Sequence, residues 1–325
     1  MALTYHPQLA HLVRVPPEGP EWIHPKGAET TVGGIRISNA DREVYPDIGL
    51  TKQAIAAFFE RMGPRMLPHL AGRPLTLVRC PDGIGNGCFF VKHSKAWAPP
   101  PIRRVQIREK TKVGEYLVVD GVPALIALAQ MNVLEIHTWN SRVDRLECPD
   151  RLLFDLDPGR DVPWGTVVDA ARRVRRLLQD VGLESFPKTT GGKGLHVVVP
   201  LRPTAGWQAS LTFARAIAET LERHHPDRFT TAFRKAGREQ KILVDYLRNN
   251  RANTSVAAFS PRARAGAPVS MPLRWSDVTT ALKPQRFTVL TAEKRLARLE
   301  DDPWAAYWTT RQRLSPRMTE TLTAR

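Results

Sequence analysis

Two carboxylates stand two residues apart in a short, otherwise apolar run, Phe154-Asp155-Leu156-Asp157-Pro158-Gly159. In a strand the side chains alternate, so Leu153, Asp155 and Asp157 share one face while Leu152, Phe154 and Leu156 take the other. Once the apolar face packs, two like charges point together and repel unless a cation lies between them, and a divalent metal is the natural partner. A third acid, Asp245, sits in Ile242-Leu243-Val244-Asp245-Tyr246-Leu247. An unpaired carboxylate buried there is costly, so it needs a cation or a strand end. Two acids on one strand and a third on another suit a two-metal phosphoryl-transfer centre, where one metal activates the attacking hydroxyl and the other steadies the leaving group and phosphates. Nucleases use the same set, so the acids alone leave the direction of reaction open. Acids ahead of a Pro-Gly turn also close ordinary strands.

A Gly-rich loop, Thr189-Thr190-Gly191-Gly192-Lys193-Gly194-Leu195-His196, runs into a strand. Its glycines let a backbone approach phosphates closely, Lys193 can neutralise their charge, and Thr190 can donate a hydrogen bond. Gly194 follows Lys193 where a Walker A loop has Ser or Thr, so that motif is absent. His196 opposes the Leu195/Val197/Val199 face and is expected to point toward the site; the plain alternative is a hairpin loop with a satisfied histidine. Arg238, Arg248, Arg251 and Arg262 flank Asp245 and read either as a solvated face or as phosphate contacts. Phe89-Phe90-Val91-Lys92-His93 interleaves aromatics with cations, a composition suited to base stacking or to core.

These residues need a frame of mixed strands and helices. RLLFDLD, GLHVVVPL and KILVDYL read as strands, as do PLTLVRC, GEYLVVD and VLEIHTW. Val167, Ala171, Val174, Leu178 and Val181 recur at helical spacing, with Gly182 as the stop. A further helix is expected in LTFARAIAETLERHH and a short one in VPALIALAQ. Thr51 is the expected N-cap of a helix carrying Ile55, Phe58, Phe59 and Met62, interrupted near Gly63-Pro64. The last 40 or so residues look helical and charged. Short chemically loaded strands with uneven connections, and no GxGxxG, predict a mixed α/β (α+β) architecture with more than one sheet rather than a doubly wound fold.

The chain has 325 residues, a hydrophobic fraction of 42% and a formal net charge of +16. Residues 1–150 hold 18 basic and 15 acidic side chains, and residues 151–325 hold 30 and 17, so +13 of the excess lies in the half with the three acids. Arg234 to Arg264 carries eight basic residues against Glu239 and Asp245. Such a local excess fits a polyanionic partner, nucleic acid before membrane. No apolar run is long enough to span a bilayer, no signal-peptide core is present, and no basic amphipathic segment stands apart from the motifs, so no membrane partner is expected. The three cysteines, Cys80, Cys88 and Cys148, form no CxxC pair; a disulfide framework is not expected and a reducing cytosol fits.

Taken together, Ser38-Asn39-Ala40-Asp41-Arg42-Glu43-Val44-Tyr45-Pro46, GRPLTLVRCPDG, FFVKH, VLEIHTW, FDLDPG, TTGGKGLHVVVPL and VDYLRNNRANTSVAAFSPRA resemble the polymerase domain of bacterial ligase D, of the archaeo-eukaryotic primase superfamily that acts in non-homologous end joining. The similarity runs from about Gly34 to about residue 310. It implies a primase-like domain over 34–310, an N-terminal arm or linker over 1–33 and a C-terminal tail over 311–325, with no ligase or nuclease module among these residues. It also implies a template-directed nucleotidyltransferase that fills short gaps and extends ends. Asp155, Asp157 and Asp245 match the metal-binding catalytic acids, with two Mn2+ or Mg2+ ions as cofactors and NTP or dNTP as substrate. Thr190, Gly191, Lys193 and His196 match the triphosphate motif, with Arg79, Arg238, Arg248 and Arg262 nearby and His137 near the sugar. Arg42 and Lys52 match a basic pair that grips the 5′-phosphate of a gapped duplex or DNA end. Phe89 and Phe90 match aromatics near the template strand, with Lys92 beside them. Ku and a ligase module are the implied partners, and the bacterial cytoplasm, at the nucleoid, the implied place. Arg42 stands where Lys is frequent, Thr190 where Ser is, and Ala258-Phe259 where Pro-Tyr is common. Rival readings are a non-catalytic DNA-end synapsis module and a two-metal nuclease.

Overall fold

A computed structural model describes residues 27–94, 98–234 and 236–324, which fall into two compact units. One comprises the chain to Ala71, Leu75–His137 and Ser260–Ala267. Strands β1 (Thr30–Val32) and β2 (Ile35–Ile37) pair antiparallel, as do β3 (Glu43–Tyr45) and β4 (Leu50–Thr51). Helix α1 (Lys52–Leu70) follows, then β5 (Leu75–Arg79), β6 (Phe89–Val91) and the hairpin of β7 (Arg103–Arg108) with β8 (Val113–Val118). Helix α2 (Val122–Gln130) leads into β9 (Val133–Thr138), and the strands run in the order β9-β5-β6.

The Thr51 hydroxyl accepts from the Ala54 N–H at 3.2 Å, so the expected cap forms, and Ile55, Phe58, Phe59 and Met62 are buried. The expected break at Gly63-Pro64 does not occur: α1 continues through both Pro64 and Pro68. Each proline forfeits a backbone donor. Packing against α2 offsets that loss, because Gly63 lets the helices approach; a Cβ there would lie 2.8 Å from the Val122 side chain. The arm assigned to 1–33 lies outside the described residues up to residue 26, and its end is strand β1. The cysteine expectation is also corrected. Arg79 pairs with Phe89 across β5 and β6, which brings the next residues of the hairpin together, and Cys80 and Cys88 form a disulfide; Cys148 is free.

The other unit comprises Gly72–Pro74, Thr138–Phe259 and Pro268–Arg325. Its elements are β10 (Arg151–Pro158), α3 (Trp164–Asp180), β11 (Phe186–Thr189), β12 (Leu195–Pro200), α4 (Trp207–His224), β13 (Phe229–Thr230), β14 (Ile242–Asp245) and β15 (Ser255–Val256). A five-stranded sheet runs β11-β12-β10-β14-β13, with β13 parallel to β14 and the other pairings antiparallel. Helices α3 and α4 pack on it, and Leu152, Phe154 and Leu156 are fully buried. The C-terminal stretch is mostly irregular, with short helices α5 (Ala292–Ala297), α6 (Ala305–Thr309) and α7 (Pro316–Thr323). Near the end of the chain Leu322 is buried, and its carbonyl accepts from the Thr220 hydroxyl of α4 at 3.2 Å.

Candidate active site

The sheet register builds the site. Asp155 of β10 lies opposite His196 of β12 on one side and opposite Asp245 of β14 on the other. His196 in turn lies opposite Lys188 of β11. Directly opposed residues point to the same face of a sheet, so Lys188, His196, Asp155 and Asp245 form one cross-strand row. Two residues back along the same strands, Phe186, Val198 and Leu153 form an apolar row, covered by Trp304 and Tyr307. One face thus changes from aromatic core to charged site within a single repeat of the pleat. Asp157, two residues further on, extends the polar end.

Every acid in the row has a cation. The His196 Nε2 lies 3.3 Å from Asp155 Oδ1, Arg248 Nε lies 3.5 Å from Asp155 Oδ2 and 3.0 Å from Asp245 Oδ2, and Arg238 Nη2 donates to Asp157 Oδ2 at 3.0 Å. Burial opposes ionisation of Asp155, but His196, Arg248 and the more distant Lys188 hold its carboxyl below the usual range. Asp245 goes the other way. Burial and, against the pull of Arg248, the charges of Asp155 and Asp157 push its pKa up to about 6. Burial and the neighbouring Lys188 charge push His196 down to about 4, so its imidazole is neutral at pH 7. Strand β14 ends at Asp245, whose Oδ1 accepts from the Leu247 N–H at 3.0 Å as the chain turns toward Arg248.

The Gly-rich loop joins β11 to β12 in the same unit. Thr190 closes it, donating its hydroxyl to the Gly194 carbonyl at 3.2 Å and accepting from the Gly192 N–H at 3.1 Å. Gly191 has φ +70°, where a side chain is disfavoured. Gly194 has no room for a Cβ, which would run into the Leu156 carbonyl oxygen of β10. Lys193 is exposed at the tip, outside any regular element and able to reach an anion.

The remaining predicted residues belong to the other unit. There His137 and Arg262 meet on Glu135: the His137 Nε2 lies 2.8 Å and the Arg262 Nε 3.0 Å from Glu135 Oε2, and the Ala263 N–H donates to Oε1 at 2.8 Å. Although Glu135 is buried, the Arg262 charge and the His137 hydrogen bond hold its pKa far below normal. Phe90 packs edge-on against His137 at 5.8 Å, and the Arg79 guanidinium lies 5.6 Å from the Phe89 ring centre while donating to the Met131 carbonyl at 2.7 Å. Arg42 donates to the Pro81 carbonyl at 2.5 Å and pairs with Asp82 at 3.3 Å. Lys52, at the first turn of α1, is 3% exposed; burial and then the charges of Arg42 and Arg79 lower its pKa to about 8. Lys92 pairs with Glu109, which follows β7, at 2.9 Å. Sequence reasoning missed Glu135 and Lys188. Each sits at a same-face offset from a residue it did select, two before His137 and two before Thr190, and strand alternation was the signal that could have found them.

Among the described residues, no three His, Cys, Asp or Glu side chains already form a group able to hold a metal ion; Asp155 and Asp245 share Arg248, and Asp157 pairs with Arg238. The donor set nevertheless fits divalent cations. Three carboxylates project from adjacent positions of two paired strands, and one is held partly protonated by burial and its neighbours' charge. A hard cation bound by oxygen donors relieves that repulsion.

A short mixed sheet carrying a row of acids, with arginines on the acids and a Gly-rich loop beside them, defines a mixed α/β protein with a site suited to phosphoryl-transfer chemistry. The sequence model of the family described as "LigD, primase-polymerase domain" matches residues 51–304. The "Multifunctional non-homologous end joining protein LigD" of Pseudomonas aeruginosa is 40% identical over 294 residues, 90% of this chain and 35% of that protein. The protein of the same description from Mycolicibacterium smegmatis is 34% identical over 257 residues, 78% of this chain and 34% of its own length. Among solved structures, "Polymerase Domain from Mycobacterium tuberculosis Ligase D in complex with DNA" superposes with a TM-score of 0.77 at 33% identity, covering 82% of this chain and 96% of that one. The chain belongs to the LigD primase-polymerase domain family. It spans about a third of the length of the multifunctional relatives it matches. Its mixed α/β fold is that of the LigD polymerase domain, and among the described residues no helix is long and apolar enough to cross a membrane.

Proposed function

We propose that this chain carries out template-directed nucleotide addition on broken DNA, filling short gaps and extending ends during non-homologous end joining. The observation that carries the reading is the in-register opposition of Asp155 to Asp245, with Asp157 one pleat repeat away and the Gly-rich phosphate loop on the adjoining strand. The primer 3′-hydroxyl attacks the α-phosphate of a nucleoside triphosphate, and pyrophosphate leaves. Two divalent ions, Mn2+ or Mg2+, held by Asp155, Asp157 and Asp245 would supply activation of the hydroxyl and neutralisation of phosphate charge.

The chain's own residues do the rest. Arg238 and Arg248, now parked on carboxylates, transfer to the triphosphate oxygens as it enters, and Lys193 and the Thr190 loop take the outer phosphates. The unit with Arg42 and Lys52 binds the 5′-phosphate of the gap, and Phe89, Phe90 and Lys92 face the template strand. Arg79 backs Phe89, and Glu135 anchors both Arg262 and His137 within that same unit. The polymerase domain of Mycobacterium tuberculosis Ligase D was solved in complex with DNA, and that likeness supports a DNA partner. The multifunctional end-joining relatives support a place in that repair process; a ligase module and Ku as further partners, and a bacterial cytoplasmic setting, are what the family resemblance implies.

The test is extension of a gapped, 5′-phosphorylated duplex, run with NTP or dNTP and with Mn2+ or Mg2+. Asp155→Ala and Asp157→Ala are expected to lower extension by about three orders of magnitude, the several kcal/mol of charge stabilisation at such a centre, while DNA binding persists. Full extension by either variant sinks the acid assignment. A shortened primer makes the protein a nuclease, and binding without incorporation by the wild type makes it a synapsis module.

A further inference from the structure

Lys188 has no part in the function set out above, yet it is 3% exposed and stands at the head of the catalytic row. Its ammonium has three N–H donors and meets three acceptors: His196 Nδ1 at 2.8 Å, the Val256 carbonyl at 2.9 Å and Ser270 Oγ at 2.7 Å. Two of those are fixed as acceptors. A carbonyl oxygen can only accept, and the Ser270 hydroxyl spends its own proton on the Thr189 carbonyl at 2.7 Å. An ammonium carries no lone pair, so the third contact requires one on the ring: Nδ1 of His196 must be bare. The proton of the neutral imidazole is then on Nε2, the nitrogen that faces Asp155 Oδ1 at 3.3 Å.

We propose that Lys188 is a positioning residue that locks His196 in the Nε2–H tautomer, so that the histidine meets the site as a hydrogen-bond donor and not as a metal ligand. The consequence follows from the chemistry of the ring. A bare Nε2 is a common transition-metal ligand, whereas an Nε2–H can only donate, to a carboxylate or to a phosphate oxygen. Lys188 thereby keeps the metal-ligand set all-oxygen and turns His196 toward the anionic substrate. That last step rests on the polymerase reading; the tautomer does not.

Two measurements separate the two. Long-range 1H–15N correlation spectra of the metal-free wild type at pH 7, with the His196 signals identified by their loss in His196→Gln, are expected to show the Nε2–H tautomer. In Lys188→Met, which keeps the side-chain length without the charge, Nδ1 is expected to gain a proton, the ring becoming Nδ1–H or, with Asp155 still accepting at Nε2, doubly protonated, while Lys188→Arg, which keeps a donor, holds Nε2–H with Nδ1 bare. A wild-type ring that is Nδ1–H or doubly protonated overturns the proposal even if the Met variant fails to fold, as does a folded Met variant that keeps Nε2–H with Nδ1 bare. In gap extension, Lys188→Met is expected to lose about 10- to 100-fold in kcat/KM for nucleotide, as outer-shell partners typically cost, with partial rescue in Lys188→Arg. Binding of Zn2+ by the variant, read by calorimetry, is expected to tighten as Nε2 becomes a ligand. No extension by the wild type would overturn the polymerase reading and leave the tautomer result standing.

Discussion

Replacing Asp245 by Asn should stabilise the metal-free protein while it disables the site. Asp245 is 2% exposed, and burial with the charges of Asp155 and Asp157 raises its pKa to about 6, against 3.8 for the free side chain. An acid whose folded pKa lies above its unfolded one binds more protons when folded. Stability therefore falls as pH rises from about 4 to 6, and the full cost persists above. The gap of about 2 pKa units corresponds to about 3 kcal/mol at pH 8 and about half of that at pH 5. Asn has the same shape, and its side-chain oxygen can still accept from the Leu247 N–H; Arg248 retains Asp155 as partner. Urea denaturation of wild type and Asp245→Asn in EDTA, at pH 5 and pH 8, reads the difference directly. The variant should be the more stable of the two at pH 8, by up to about 3 kcal/mol, with the advantage shrinking toward pH 5. A variant less stable than wild type at pH 8, or an advantage independent of pH, would refute the reasoning. Mn2+ should stabilise the wild type and narrow the gap, because a ligand that binds only the folded state adds to its stability.

Lys52 and the disulfide each offer a further check. Burial, aided by Arg42 and Arg79, lowers the Lys52 pKa to about 8, so the side chain loses its charge as pH rises through that value. The preference for 5′-phosphorylated over unphosphorylated gaps should accordingly fall by about tenfold between pH 7 and pH 9.5, the worth of one charged hydrogen bond; Lys52→Arg should flatten the profile, and a pH-independent preference would remove Lys52 from the phosphate pocket. Cys80 and Cys88 close a loop across a separation of eight residues, for which chain-entropy arguments give about 2.5 kcal/mol. Reductant should lower the denaturation midpoint of the wild type and leave Cys80→Ser/Cys88→Ser unmoved. Equal midpoints with and without reductant would show the link contributes nothing.

Much of the acid centre was legible in the sequence because strand alternation is local. The two acids of RLLFDLD read as lying on the face opposite Leu152, Phe154 and Leu156, and so they do. The Thr51 cap and the stop at Gly182, which has φ +78°, were equally local signals. What escaped depended on partners distant in sequence. The continuity of α1 through Pro64 is set by α2, whose Val122 lies against Gly63. Lys188 reads as one more basic residue until Val256 and Ser270 close around it. Glu135 gains meaning only from Arg262, and Cys80 meets Cys88 only because a hairpin folds back on itself.

The row from Lys188 to Asp245 has a bearing on how errors in folding are tolerated. Its members hold no fixed positions by virtue of their own contacts alone; each inherits its place from strand register. Sliding β10 by one residue would turn Phe154 and Leu156 to the face where His196 and Asp245 stand and drive Asp155 and Asp157 into the apolar side of the sheet, a loss far beyond the marginal stability of a domain. A misregistered sheet is therefore not an inactive enzyme that persists in the cell but a chain that does not stay folded. Quality control of the acid row is delegated to the hydrophobic pattern, so a molecule that survives proteolysis is already an aligned one.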